Sequence, residues 1–130
     1  MAQHTELGAW GEAVVLAMFR DAGIEAAYGR PADIVIAGGV PVEVKTAKLS
    51  HYNGRRMGFQ FCIDRQGHTS LKGVAVVLVC AGDDGEAHFF IIPAHVVGNR
   101  RKVAIGPDPV QYRGKWAAFL NRWEAIAEVA

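Results

Sequence analysis

Asp33, Glu43 and Lys45 lie close together in the chain, separated by a short apolar stretch and a pair of glycines. Their types suit metal-assisted chemistry. Carboxylate oxygens are hard ligands for Mg²⁺ or Mn²⁺, ions that keep several waters when bound. An ammonium two residues beyond a ligating glutamate can orient or deprotonate a water held by the cation, or stabilise charge developing on a phosphate. The plainer reading of Glu43-Val44-Lys45 is an ion pair on the solvated side of a hairpin, and strand parity argues against it. Ile34 and Ile36 alternate with Asp33 and Val35, while Val40, Val42 and Val44 alternate with Pro41, Glu43 and Lys45. If the apolar set faces one core, Asp33, Glu43 and Lys45 share the opposite face. A one-residue slip would separate them. A two-residue turn at Gly38-Gly39 would put Ile34 and Val42 on different faces, whereas a three-residue connection with a positive-φ glycine makes them coincide. An odd-length turn is therefore predicted.

The elements that must carry these residues are legible on either side. Thr5 to about Ala22 reads as a helix, with Thr5 as N-cap and Gly23 as stop. Leu7, Trp10, Val14 and Met18 form one apolar face at helical spacing, and Val15, Leu16 and Phe19 form a second. Glu6 and Arg20 occupy the polar strip between them, whereas Glu12 projects between Val15 and Phe19, where a carboxylate is costly unless paired or metal-linked. Ile24–Tyr28 is a weak strand; 33–37 and 40–46 are strong ones. Lys48 to Gly58 reads as a polar, basic loop, 59–63 as a strand, and Gln66 to Lys72 as a loop or short helix. Val74 to Cys80 is a continuous apolar run, as expected of a strand buried on both faces. His88 to Ile92 follows as a neighbouring strand, then a short helix to Val97 and a small edge strand at 103–105. A last helix is predicted over 113–129, with Trp116, Leu120, Trp123 and Ala127 on its docking stripe. Helix, mixed sheet and helix in this order give an α/β (α+β) fold with a mixed central sheet flanked by helices.

Glu12, Pro31-Ala32-Asp33 and Glu43-Val44-Lys45, with a glycine turn between the last two, resemble the PD-(D/E)XK nuclease superfamily. The match covers roughly the first half of the chain, and Ala32 stands where the name-giving motif has no residue. The resemblance implies a restriction-endonuclease-like core and a Mg²⁺-dependent (or Mn²⁺-dependent) endonuclease that hydrolyses phosphodiester bonds in duplex or branched DNA. It implies metal ligands at Asp33, Glu43 and the main-chain carbonyl of Val44, a catalytic lysine at Lys45, and the helical glutamate at Glu12, with Glu6 as its weaker competitor. The compact size is similar to the Holliday-junction resolvases and to the small homing or restriction-type enzymes of that superfamily. Both groups work as homodimers or higher oligomers, so a homo-oligomer is expected. A catalytically silent nucleic-acid-binding module with the same fold is the alternative.

Lys48, His51, Asn53, Arg55 and Arg56, with Tyr52 among them, follow the Lys45 strand and suit phosphate or base contacts. Arg100, Arg101 and Lys102 form a second basic cluster, and Gln60 on the next strand is expected to support the site. The formal net charge is only +1, so any nucleic-acid binding must come from such local clusters. The length of 130 residues suits one domain spanning 1–130, large enough for a core of its own. Cys62 and Cys80 lack metal-ligand spacing and read as buried free thiols, and His88 and His95 read as structural. No apolar run is long enough to span a bilayer, and the first residues carry no signal-peptide pattern. A soluble protein in the cytosol of a cell or an infected host is expected, without a membrane partner.

Overall fold

A computed structural model describes residues 2–29, 32–65, 68–69 and 73–126; the Pro31 of the motif lies outside them. The chain is α+β. Helix α1 (Ala2–Asp21) is followed by β1 (Ala26–Tyr28), β2 (Ile34–Ile36) and β3 (Val40–Lys48). Then come β4 (Ser50–Tyr52), β5 (Arg55–Cys62), the two-residue strands β6 (Asp64–Arg65) and β7 (His68–Thr69), β8 (Ala75–Ala81) and β9 (Ala87–Pro93). A single-turn helix α2 (Ala94–Val97), β10 (Lys102–Ile105) and a 3₁₀ turn (Ala117–Phe119) close the described chain. The main sheet has the order β1-β2-β3-β8-β9, antiparallel throughout except for the parallel β3–β8 pair. A smaller antiparallel sheet, β10-β5-β4, lies across it.

Alternation along the strands builds a separate core on each face of the main sheet. Val15, Leu16 and Phe19 of α1 pack on Ile34, Ile36, Val42, Val44, Val77 and Val79. On the far side, Phe59, Phe61, Val103 and Ile105 of the small sheet pack on Val76, Leu78, Cys80, Phe90 and Ile92. All seven residues of β8 are buried, which explains the unbroken apolar run: both of its faces are covered. The β2–β3 connection is the three-residue Ala37-Gly38-Gly39, with φ of +84° and +76° at the two glycines, and it pairs Ile36 with Val40 and Ile34 with Val42. The odd-length turn is present.

Several expectations need correction. The first helix begins at Ala2, so Thr5 lies inside it rather than at its cap. Its core contact runs through Val15, Leu16 and Phe19, while Trp10 on the other apolar face is 37% exposed. Gly11 sets that orientation, because a Cβ there would collide with the Thr46 hydroxyl of β3. The stretch from Lys48 to Gly58 is a hairpin and not a loop: Asn53 and Gly54 both take positive φ (+53° and +76°), the geometry of a two-residue turn joining β4 and β5. Cys62 faces outward on β5 and is exposed, whereas Cys80 is buried and its thiol is pushed up to about 12 by that burial. The long closing helix is absent among the described residues. Pairing of Leu120 with Phe90 and an Asn121 N–H bond to the Phe89 carbonyl (2.7 Å) lead the chain along the β9 edge instead. Trp116 and Trp123 still enter the cores, Trp123 edge-on to Phe19 at 5.4 Å. Of the Gln66–Lys72 stretch only His68 and Thr69 are described, as β7 paired with β6. No helix among the described residues is long and apolar enough to cross a membrane.

Candidate active site

β2 has three residues and β3 has nine, so their ladder ends at Ile34 and Val42 while β3 runs on beside β8 alone. Along a strand, the N–H and C=O of one residue point to the same side and successive residues alternate. Asp33 N–H donates to the Val42 carbonyl at 3.3 Å, which orients the even-numbered residues of β3 toward β2. Val44 N–H is the next donor on that side, just past the end of β2. Asp33 Oδ2 accepts it at 2.8 Å. The side chain thus completes a ladder that the main chain leaves unfinished, and the same alternation places the Val44 carbonyl on this open side, next to the Asp33 carboxylate.

Glu43 and Lys45 point to the other face of β3, opposite Val76 and Leu78 of β8. Only 6% of Glu43 is exposed, and it is the one buried charged residue among those described. A carboxylate in such a place is costly without compensating charge. Lys45 supplies part of it, with Nζ 3.7 Å from Glu43 Oε2. Glu12 approaches from α1. Burial raises its pKa first and the charge of Asp33, just before β2, second.

Among the described residues, no group of three or more His, Cys, Asp and Glu side chains gathers into a metal cage. The donors offered by Asp33, Glu43 and the Val44 carbonyl are all hard oxygens, two from side chains and one from the main chain. That set fits Mg²⁺ or Mn²⁺, which complete their shells with water, better than it fits a metal that needs a closed protein cage.

The basic residues fall into separate places. Lys48 ends β3 and lines a cleft of about 760 Å³ with Glu6, Leu7, Thr46, Ala47, Ser50 and Gln60. Gln60 therefore stands next to the carboxyl end of β3. Arg55 and Arg56 begin β5, next to Asn53 at the hairpin tip, and all three are exposed. His51 is exposed too, but its Nε2 lies 2.9 Å from Asp83 Oδ2, which ties β4 to the β8–β9 turn. Arg56 lines a second cavity of about 410 Å³ with Asp83, Asp84, Glu86 and Asp108. The second cluster sits at the opposite end of the small sheet, where Lys102 pairs with Cys62. There Arg100 lies over the Trp116 ring at 5.4 Å and the Arg101 carbonyl accepts the Ile63 N–H at 2.8 Å.

Among solved structures, that of a bacterial homing endonuclease, I-Ssp6803I, matches with a TM-score of 0.69 over 94% of this chain and 89% of that one, at 14% sequence identity. The chain shares its fold with that structure. No protein-family model and no curated protein matches its sequence. At this identity the likeness to I-Ssp6803I describes the path of the backbone, and the chemistry of the site has to be argued from the residues above.

Sequence reasoning missed two participants. Asp83 is 32 residues from His51, and nothing local marks the pair. Thr46 buries its Oγ1 against α1, with no hydrogen-bond partner among the described residues. Glu6, read as the weaker helical carboxylate, lines the cleft beyond β3 while Glu12 takes the place beside Asp33.

Proposed function

We propose that this chain is a metal-dependent DNA endonuclease that hydrolyses phosphodiester bonds, of the homing or restriction type. The observations that carry the reading lie at the junction of β2 and β3: the Asp33 carboxylate accepts the Val44 N–H at 2.8 Å beside the open edge of β3, and Lys45 Nζ lies 3.7 Å from the buried Glu43 carboxylate. The fold shared with a homing endonuclease supports it. Asp33, Glu43 and Val44 would hold Mg²⁺ or Mn²⁺, which when bound supplies Lewis acidity toward a phosphate oxygen. Lys45 is the cation of the chain itself: tethered by Glu43 yet partly exposed, it stabilises charge developing on the phosphate or moves a proton at its Nζ. Glu12, biased toward holding its proton by burial and by Asp33, positions water at the far side of the Asp33 carboxylate. Arg55, Arg56 and Asn53 on the β4–β5 ribbon contact DNA, since a two-stranded ribbon fits the major groove. Lys48 and the Arg100–Lys102 cluster add phosphate contacts. One chain offers one such site, so cutting both strands of a duplex calls for a homodimer or a higher oligomer.

The test is incubation of purified protein with supercoiled plasmid, linear duplex and a synthetic four-way junction, in Mg²⁺, Mn²⁺ or EDTA. Cleavage that needs the metal and falls by roughly 10²-fold or more in Asp33→Ala and Lys45→Ala is expected. Preferential cutting of the junction would move the reading to a resolvase. Tight binding with no cleavage in either metal would move it to a binding module.

A further inference from the structure

The open edge of β3 does not end at Val44. Alternation from the Val42 carbonyl and the Val44 N–H points the N–H groups of Thr46 and Lys48 to the same side. β2 does not reach them, since its last partner is Val42. Among the described residues, β3 has no neighbour on that side of the main sheet other than β2. The same segment lines the cleft of about 760 Å³ between the start of α1 and the β4–β5 hairpin. Main-chain donors, the Lys48 ammonium and the Gln60 carboxamide thus surround one space, which begins one residue beyond Lys45. The Thr46 hydroxyl is buried there without a hydrogen-bond partner among the described residues. Ser50 is less available, because its hydroxyl donates to the Gly58 carbonyl at 2.8 Å. One acceptor opposes the donors, the Glu6 carboxylate, and it makes no ion pair with Lys48.

Rows of N–H groups with a nearby ammonium bind phosphate oxygens, because charge-assisted hydrogen bonds to an anion are the strong ones. We propose that the cleft is a second phosphate subsite, in which the Thr46 and Lys48 amides, the Lys48 ammonium and Gln60 hold the phosphate next to the one being cleaved. The subsite rests on the endonuclease reading for its purpose, though not for its detection. It fixes the path of the cut strand along the β3 edge, from Asp33 and Val44 toward Lys48. Glu6 weakens the grip, so that the strand is held loosely enough to leave.

The experiment is an amide NMR titration of the whole chain with thymidine 3′,5′-bisphosphate, with thymidine and inorganic phosphate as separate arms and without divalent metal. The Thr46 and Lys48 cross-peaks are expected to shift saturably with the bisphosphate and not with thymidine. Inorganic phosphate should bind more weakly. Lys48→Ala should weaken the bisphosphate by about tenfold and Glu6→Gln should tighten it. Both residues are exposed, so neither change threatens folding. No saturable shift, shifts confined to Val44 and Lys45, equal affinity for inorganic phosphate, no weakening in Lys48→Ala, or no tightening in Glu6→Gln would each overturn the subsite. A chain that cuts no DNA but binds the bisphosphate at Thr46 and Lys48 would sink the endonuclease reading and leave the subsite standing.

Discussion

Two hairpins lie one after the other in this chain and are built in opposite ways. The β2–β3 hairpin turns through Ala37-Gly38-Gly39 and buries Ile34, Ile36, Val42 and Val44 under α1, with Glu43 enclosed on the other face. The β4–β5 hairpin turns through Asn53-Gly54 and exposes every residue from Ser50 to Met57, with Tyr52 at 67%. The first is held by packing on both sides and can keep two carboxylates and an ammonium in fixed relation. The second is held at its base by the Ser50–Gly58 hydrogen bond and the His51–Asp83 pair. Burial supplies the precision that chemistry needs, and exposure supplies the reach that groove contact needs.

The contrast can be broken most sharply at the core of the first hairpin. Ile34 is fully enclosed, so Ile34→Ala should cost about 2–5 kcal/mol in chemical denaturation. Tyr52→Ala at the tip of the second should stay within about 0.5 kcal/mol; a comparable loss at both positions would erase the distinction. The next effect is on binding. Arg55→Ala should lower DNA affinity and reduce the salt dependence of log K by about one phosphate contact, with thermal stability unchanged. An unchanged salt slope would mean that the ribbon does not touch the backbone.

The His51–Asp83 tie is exposed at both ends, so His51→Ala should leave folding within about 1 kcal/mol. A loss of DNA affinity in that variant without a change in salt slope would show that the pair aims the ribbon instead of contacting phosphate. The smallest effect concerns Glu12. Its pKa in the folded protein lies above the ordinary 4.5, so the folded state holds that proton more tightly than the unfolded one. Stability is then lost as pH rises from about 4.5 through the folded value, and none of this loss is present below 4.5. Glu12→Gln should therefore gain thermal stability over the parent at neutral pH, and the difference should vanish in melts below pH 4.5.

Parity and turn chemistry made the first hairpin legible. Apolar residues at alternate positions and two adjacent glycines demanded a three-residue connection, and the Ile34–Val42 and Ile36–Val40 register follows from it. The second hairpin was harder to see although Asn53-Gly54 is a strong turn signal. Residues 50–57 carry no apolar alternation, since that part of the ribbon is exposed on both faces, and periodicity reports only burial; alternation begins only at Phe59 and Phe61, where β5 joins the core. The closing segment failed for a related reason. Trp116, Leu120 and Trp123 at helical spacing describe which residues enter a core, and an extended chain pairing Leu120 with Phe90 buries them as well.

The sequence by itself determined the mixed main sheet, the buried β8 and the odd-length turn that sets the β2–β3 register. These follow from side-chain alternation, which is local. Only the tertiary structure decided that Asp33 caps Val44, that Glu6 lines the cleft beyond β3, and that β3 runs past the end of β2 as far as Lys48. Each of those depends on where one element stops relative to another, and strand ends, helix docking at Gly11 and the His51–Asp83 tie are set by contacts between residues far apart in the chain.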